Sequence, residues 1–253
     1  MSGRLVVLGL GPGAAEWVTP EVTQALAQAS DLIGYAPYLA RVVAQPGQRV
    51  HASDNRVEID RARLALALAA AGHHVAVVSG GDPGVFAMAA AVFEALEAGD
   101  PAWRSLDIQV MPGVSAMQAA AARMGAPLGH DFCAISLSDN LKPWPVVARR
   151  LALAAEADFV IALYNPASRA RPERIFDAFA LLRGVKDGAT PVAFARAIGR
   201  ADEALVVTTL READPGRADM STLVMIGSSQ TRLVARGQGG AFVYTPRFYG
   251  GGA

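Results

Sequence analysis

The sequence has little of several features that would fix its chemistry directly. It contains one cysteine, Cys133, which excludes an internal disulfide or a zinc site. No apolar run is long enough to span a bilayer, and LALALAAA at residues 64 to 71 is among the longest. The N-terminus lacks a basic region followed by an apolar stretch, so no signal peptide is predicted. We therefore expect a soluble, globular protein located in the cytoplasm.

The chain also lacks an excess of either charge, with 23 Lys and Arg residues against 23 Asp and Glu residues. A polyanion such as DNA is bound through a basic surplus, so nucleic acid is excluded as the main partner. Lys142 and Lys186 are the only lysines, and arginine supplies nearly all the positive charge. The planar guanidinium group binds carboxylates and phosphates in pairs, although an Ala- and Arg-rich composition explains the bias equally well.

Familiar catalytic motifs are missing too. The four histidines, at positions 51, 73, 74 and 130, do not have metal-ligand spacing. The sequence contains no G-x-S-x-G elbow, no Walker loop and no paired zinc-ligand motif. Neither a hydrolytic triad nor a metalloenzyme is therefore expected.

What is present is a regular alternation of strands and helices. Short apolar runs predict strands at 4–10, 32–34, 75–79 and 107–111, and amphipathic patterns with helix-end signals predict helices at 20–29, 58–71 and 86–97. An alternation of this kind is typical of a parallel sheet covered on both faces.

The pattern restarts after Met111-Pro112-Gly113. It predicts helices at 115–124 and 145–157 and strands at 132–137 and 159–164, followed by closely spaced strands at 192–195, 205–210 and 222–226. Close spacing with short turns indicates a mixed sheet with hairpins. We therefore predict two α/β domains that share a cleft, residues 1–112 and 113–253.

The loop GLGPGA at residues 9 to 14 looks like a dinucleotide-binding fingerprint, but two features of the fingerprint are absent. Helix signals begin only at Thr19 and Pro20, and Asp31 precedes the second strand instead of ending it. Pro12 also removes a backbone donor. The open interpretations are a tight turn, a wall without side chains beside a large flat ligand, and, as a rival, the site of an NAD(P)-dependent oxidoreductase.

The loop SGGDPGVFAMA at residues 79 to 89 follows a buried strand and precedes a helix, which is where open parallel sheets bind ligands. Gly80 and Gly81 allow a ligand to approach the backbone closely, and Asp82 can accept a hydrogen bond from an amine or a ribose hydroxyl. A plain turn needs one glycine, not three around an aspartate. The sequence therefore favours binding here.

Two further strand-end segments carry polar side chains. Ser115, in MPGVSA, either caps the next helix or donates to a ligand. The segment LYNP at 163 to 166 leads into SRARPER, which contains Arg169, Arg171 and Arg174. These arginines form either a solvated face or a site for a substrate with several carboxylates.

Taken together, six segments resemble the tetrapyrrole methylase family, and the similarity covers nearly the whole chain. They are GLGPG at 9–13, GYAPY at 34–38, SGGDPGVFAMA at 79–89, MPGVSAMQAAAARMGAPLGHDFCAISLSDNLKPW at 111–144, LYNPASRAR at 163–171 and TPRFY at 245–249. Lys142 and Ala87 depart from the family, where Thr and Gly are common at these places.

The resemblance implies two α/β domains with S-adenosylmethionine bound in the cleft between them, in a homodimer. No membrane partner is expected, because no apolar run is long enough to span a bilayer. The resemblance also implies that the first glycine loop lines a tetrapyrrole trough with Gly9, Gly11, Pro12 and Gly13. The implied cofactor contacts are Gly80, Gly81, Asp82, Val85, Ser115, Ala116, Asn165 and Thr222.

Within the family, ISLSD followed by PW and YNP followed by a basic run resemble the branch that methylates C17 of precorrin-3B and contracts the ring to precorrin-4 during cobalamin biosynthesis. We hypothesise that Arg169 and Arg171 hold the acetate and propionate groups of this substrate. No base for the contraction is singled out. The same reaction on a cobalt-containing substrate, and a tetrapyrrole carrier without catalytic activity, are the alternatives.

Overall fold

The computed structural model describes residues 3–55, 57–167, 171–237 and 239–249. The chain divides into two compact units, Met1–Ala116 and Met117–Ala253. The boundary predicted after residue 112 lies in the segment between the last strand of the first unit and the next helix, and it stays a prediction.

The first unit alternates strands and helices along its whole length. Its elements are β1 (Arg4–Gly9), a 3-10 helix (Ala15–Trp17), α1 (Pro20–Gln28), β2 (Asp31–Tyr35), α2 (Ala36–Leu39), β3 (Arg49–Ser53), α3 (Glu58–Ala70), β4 (His74–Ser79), α4 (Met88–Ala98), a 3-10 helix (Pro101–Ser105) and β5 (Asp107–Met111).

The five strands form one sheet in the order β3-β2-β4-β1-β5, and every neighbouring pair is parallel. Alternate residues of β1 belong to two clusters: Leu5 and Val7 pack with α3 and α4, whereas Val6 and Leu8 pack with α1. Successive side chains of a strand point to opposite faces, so the sheet is covered on both. The predicted parallel sheet is confirmed.

The chain leaves β1 and β4 in opposite directions. From β1 it passes through α1 to β2, beyond β4, and from β4 it passes through α4 to β5, beyond β1. β1 and β4 are neighbours, and the helices α1 and α4 cover opposite faces, so beyond these two strands the chain continues to opposite sides of the sheet. Ligands of open parallel sheets bind at such a switch point, outside the carboxyl ends of the strands.

The second unit begins within α5. Its elements are α5 (Ala116–Met124), β6 (Gly125–Ala126), β7 (Phe132–Ser136), α6 (Trp144–Glu156), β8 (Val160–Tyr164), α7 (Arg174–Val185), β9 (Pro191–Arg196), β10 (Ala204–Thr209), a 3-10 helix (Pro215–Arg217), β11 (Thr222–Ile226), β12 (Arg232–Ala235) and β13 (Ala241–Tyr244).

Its main sheet has the order β10-β9-β11-β8-β7. β7 and β8 are parallel, whereas β11 runs antiparallel to both β8 and β9, and β10 runs antiparallel to β9. A small sheet of β12, β13 and β6 lies apart from it. The predicted mixed sheet is confirmed, although β12, β13 and α7 were not predicted, nor was β3 in the first unit.

Among the described residues, no helix has both the length and the apolar character needed to cross a membrane.

Candidate functional site

In the first unit, the loops that follow β1 and β4 are joined through their backbones. Leu10 N–H donates to Ser79 O over 2.9 Å, and Gly11 and Gly81 exchange two backbone hydrogen bonds of 3.2 and 3.0 Å. The next α-helix begins only at Pro20, after a Thr19 cap whose hydroxyl accepts from Val22 N–H over 3.2 Å. The glycine loop therefore does not open a helix, as a dinucleotide fingerprint would.

Asp82 connects the loop after β4 to the loop after β5. Its Oδ1 accepts a hydrogen bond from Gly84 N–H over 2.8 Å, and its Oδ2 accepts one from Gly113 N–H over 3.1 Å. A carboxylate offers about four acceptor positions, so each oxygen keeps the capacity for one more donor. The side chain predicted to bind a ligand therefore also fixes the two loops to each other.

Three glycines bring the loops after β1, β4 and β5 into direct backbone contact. A Cβ added to Gly9 would lie 2.4 Å from Gly81 O and 3.1 Å from Gly113 Cα, and a Cβ added to Gly113 would lie 2.4 Å from Gly81 O. No side chain larger than hydrogen fits at either place. Gly9 and Gly81, which are predicted to line a binding surface, thus also make this close packing possible together with Gly113.

Gly81 itself differs from its two neighbours. Its φ is +64°, and an added Cβ would meet nothing closer than Val114 O at 4.0 Å. One side of this backbone is therefore uncovered among the described residues, which suits the close approach of a ligand. Ser115 directly follows Val114, is buried, and directly precedes Ala116, the first residue of α5.

The same loop contains a backbone conformation that side chains rarely adopt. Phe86 has a φ of +52°, and its side chain is 49% exposed. Val85, immediately before it, is half-buried and its N–H donates to Asp82 O over 3.3 Å. Strained residues of this kind concentrate at functional sites.

In the second unit, two predicted contacts lie at the same edge of the main sheet. Asn165 follows the carboxyl end of β8 with a φ of +50°, and its Nδ2 donates to Ser136 Oγ over 2.9 Å. Because Val224 pairs with Leu163 in antiparallel register, Thr222 opens β11 at the edge where β8 ends. The Thr222 hydroxyl donates to Asp219 Oδ1 over 2.7 Å.

Arg171 is paired with a carboxylate of the chain itself. Its Nη1 donates to Asp139 Oδ1 over 2.6 Å and to Ser138 Oγ over 3.2 Å, and Arg174 Nε donates to Asp139 Oδ2 over 2.8 Å. These hydrogen bonds hold the pKa of Asp139 below its ordinary value. Arg171 Nε is buried and has no hydrogen-bond partner among the described residues. Arg169 lies outside the described residues.

Asp139, the partner of a candidate site residue, is not indicated by the sequence. It ends the segment ISLSD, which contributed to the family resemblance without receiving a role. Its two arginine partners lie 32 and 35 positions later, so no local pattern indicates the pairing.

Each unit, taken by itself, offers groups that suit a zwitterionic nucleoside such as S-adenosylmethionine. The first unit provides an uncovered glycine backbone at Gly81, spare acceptor capacity at Asp82 and a buried hydroxyl at Ser115. The second unit provides amide and hydroxyl groups at Asn165 and Thr222. No group of three or more His, Cys, Asp or Glu side chains suited to a metal ion occurs in the part of the chain that the structure describes.

Comparison with known proteins supplies an independent observation. The family model "Tetrapyrrole (Corrin/Porphyrin) Methylases" matches residues 4–214. The chain is 60% identical over 251 residues to a precorrin-3B C(17)-methyltransferase of a Sinorhizobium species, with 99% of each chain covered. It is 42% identical over 248 residues to a probable cobalt-factor III C(17)-methyltransferase of Salmonella typhimurium, with 97% of this chain and 99% of the relative covered.

Solved structures agree with these matches. The crystal structure of the methyltransferase CobJ superposes with a TM-score of 0.93 at 52% identity, covering 97% of this chain and 100% of that one. A uroporphyrin-III C-methyltransferase of Thermus thermophilus, complexed with S-adenosylhomocysteine, has a TM-score of 0.65 at 22% identity, covering 89% of this chain and 92% of that one. At that identity the second likeness shows the fold alone.

Proposed function

The chain belongs to the tetrapyrrole methylase family, and from this premise we propose that it methylates C17 of precorrin-3B with S-adenosylmethionine and promotes contraction of the macrocycle to precorrin-4. It is thus a methyltransferase of cobalamin biosynthesis. The relative that is 60% identical over 99% of both chains is named as a precorrin-3B C(17)-methyltransferase, and the ring contraction is the part of the proposal that goes beyond that name.

One structural observation supports the proposal most directly. The loops after β1 and β4 flank the switch point of the parallel sheet and are joined by the two hydrogen bonds between Gly11 and Gly81. The two loops include Gly11, Gly13, Gly80 and Gly81, so few of their residues carry side chains, which suits a flat macrocycle and a nucleoside better than a small polar metabolite.

When bound, S-adenosylmethionine supplies an electrophilic methyl group. The chain's own residues bind and orient the two reactants, because methyl transfer is an in-line displacement that needs alignment and exclusion of water but no protein nucleophile. The residues proposed to hold the cofactor are Gly80, Gly81, Asp82, Val85, Ser115, Ala116, Asn165 and Thr222.

The substrate is a tetrapyrrole with carboxylate side chains. We assign the flat contact to Gly9, Gly11, Pro12 and Gly13, and an ionic contact to Arg171. Asp139 and Ser138 occupy only the Nη1 of Arg171, and we propose that the remaining donors of its guanidinium group hold an acetate or propionate group. Arg169 keeps the same proposed role on the sequence argument alone.

Calorimetric titration of the purified chain tests the cofactor assignment. S-adenosylhomocysteine should bind saturably, and NADH should not bind. Gly81→Val tests the proposed contact with the cofactor. A branched side chain at a φ of +64° strains the backbone and fills the uncovered side of Gly81. The affinity for S-adenosylhomocysteine should therefore fall by about tenfold or more. Binding of NADH alone would instead support an oxidoreductase.

The second candidate is the same methylation on a cobalt-containing substrate. The relative of Salmonella typhimurium, named as a probable cobalt-factor III C(17)-methyltransferase, favours it at 42% identity. Parallel assays with metal-free and cobalt-containing substrate distinguish the two, and we expect the metal-free one to be methylated faster.

We also propose that the chain forms a homodimer. Light scattering of the protein as it elutes from a size-exclusion column measures its mass and tests this proposal.

A further inference from the structure

The side chain of one arginine, Arg41, donates hydrogen bonds to the backbone of the glycine loop at residues 10–13. Arg41 follows α2, and its Nη1 donates to Gly11 O over 2.9 Å, while its Nη2 donates to Leu10 O over 2.9 Å and to Gly13 O over 3.2 Å. Three carbonyl groups of a four-residue stretch therefore converge on one guanidinium group.

The loop has few internal means of keeping this shape. Pro12 has no N–H, and Gly11 has a φ of +67°, a region where glycine is flexible. Arg41 is half-buried, and hydrogen bonds that involve a charged donor contribute more than neutral ones. The planar fork of arginine can serve three carbonyls at once, whereas the compact ammonium group of lysine cannot reproduce that geometry.

The same short segment also supports the loop after β4. A Cβ added to Gly80 would lie 2.7 Å from ring atoms of Tyr38, so the Tyr38 ring packs directly against this glycine. Tyr35 meets Tyr38 edge to face, with ring centroids 5.4 Å apart. Residues 35 to 41 thus contact both loops at the switch point, and the loops contact each other through Gly11 and Gly81.

We propose that Arg41 is a positioning residue that holds residues 10–13 in the shape that binds the tetrapyrrole. It acts through the backbone of the loop and does not touch the reacting atoms. This inference rests on the proposed function, because it assigns the loop to the macrocycle and not to S-adenosylmethionine.

The kinetic test is the replacement Arg41→Ala, compared with Arg41→Lys and with the control Arg63→Ala. Arg63 is an exposed residue of α3 that pairs with Asp60 over 3.6 Å. Arg41→Ala should raise the KM for precorrin-3B by about tenfold or more, with kcat at saturating substrate and the Kd of S-adenosylhomocysteine changed by less than about threefold. The KM of Arg41→Lys for precorrin-3B should lie between that of Arg41→Ala and that of the wild-type protein. The KM of Arg63→Ala should equal the wild-type value.

Amide hydrogen exchange provides a readout that needs no substrate. In Arg41→Ala the amides of Leu10 and Gly11 should exchange faster, while those of Leu5 to Leu8 in the core strand should keep their protection. Methylguanidine added to Arg41→Ala should restore slow exchange in part, and it should not affect Arg63→Ala.

An unchanged KM for precorrin-3B in both Arg41 variants, or faster exchange spread over the whole sheet, would overturn the proposal. If the wild-type protein does not methylate precorrin-3B, the proposed function fails. Faster amide exchange in Arg41→Ala that is confined to residues 10 to 13 would still support the role of Arg41 in holding the loop. The two failures are therefore distinguishable.

Discussion

The loops at the strand ends are held together by different interactions in the two units. In the first unit, Gly9, Gly81 and Gly113 let three loops pack backbone against backbone. In the second unit, charged side chains connect the loops, as Asp139 does with Arg171. A surface built from backbone is sensitive to added atoms, whereas one built from ion pairs is sensitive to a removed partner. The predictions below test this difference, and an ionic network at the opposite ends of the first unit's strands serves as a contrast.

The largest effect is expected from Gly113→Ala. The added Cβ would lie 2.4 Å from Gly81 O, so the loops after β4 and β5 must separate and the hydrogen bond from Gly113 N–H to Asp82 is put under strain. We expect a loss of about 3 kcal/mol in the free energy of unfolding and no measurable binding of S-adenosylhomocysteine. Urea unfolding and calorimetry measure the two quantities.

Gly184→Ala is the matched control for this prediction. Gly184 lies in α7, and an added Cβ would meet nothing within 4 Å. Alanine is the better helix former, so this variant should be unchanged or more stable by up to about 1 kcal/mol. Equal destabilisation by both replacements would contradict the account of the first unit.

Asp31→Asn tests an ionic network in the first unit that lies at the opposite ends of the strands. Asp31 begins β2, is fully buried and accepts hydrogen bonds from Arg49 over 2.7 Å and Ser30 over 2.7 Å, and its oxygens lie 2.8 Å from His51 Nε2 and 3.0 Å from His73 Nδ1. We expect a loss of about 2 kcal/mol in the free energy of unfolding at pH 7, with binding of S-adenosylhomocysteine unchanged.

The pH dependence of the same variant gives a second check. Burial raises the pKa of Asp31, but its hydrogen bonds outweigh burial and hold that pKa well below the ordinary value of 3.8. A carboxyl whose folded pKa is depressed stabilises the protein above the unfolded pKa, and this contribution is lost as the pH falls below it. Between pH 5 and 3 the wild-type protein should therefore lose more stability than Asp31→Asn. An equal dependence of the free energy of unfolding on pH in the two proteins would contradict the depressed pKa of Asp31.

Asp139→Ala removes the shared partner of Arg171 and Arg174 in the second unit. The Asp139 side chain is only 13% exposed, so its loss leaves a partly buried guanidinium group without its carboxylate. We expect a loss of about 1.5 kcal/mol in the free energy of unfolding and a raised KM for the tetrapyrrole. Asp139→Asn keeps a hydrogen-bond acceptor, so its loss of stability and its rise in KM should each be less than half of those of Asp139→Ala. Identical effects of the two variants would argue against the pairing of Asp139 with the two arginines.

The smallest effect is expected from Arg196→Ala. Arg196 donates to Asp219 and Asp202 over 2.8 Å each, but its side chain is 39% exposed and solvent screens both pairs. The Kd of S-adenosylhomocysteine should change by no more than about twofold. A larger change would show that Asp219 needs Arg196 to hold the Thr222 hydroxyl.

The sequence predicted the parallel sheet well because its central strands are continuous apolar runs between helix signals. VAVVS at 75 to 79 is an example, and it lies in β4 between two neighbouring strands. β3, with the sequence RVHAS, was missed because it is a mostly exposed edge strand without an apolar face. β12, with the sequence RLVA, was missed because four residues are too few to show a strand pattern, and all four are exposed.

The candidate site was predictable only where its residues are adjacent in sequence. Glycines around Asp82 mark the loop after β4 without help from the fold. Arg41 carries no such signal, because the three carbonyls that it binds lie 28 to 31 positions earlier. The pairing of Arg171 with Asp139 spans 32 positions and is equally invisible. Long-range side-chain contacts depend on the folded backbone and cannot be derived from spacing.

The most direct test of the central claim is a single-turnover incubation of the purified chain with precorrin-3B and S-adenosylmethionine labelled isotopically in its methyl group, followed by NMR of the product. We predict that the label appears on C17 and that the macrocycle is contracted. A labelled methyl group at another carbon, or no transfer while S-adenosylhomocysteine still binds, would contradict the assignment.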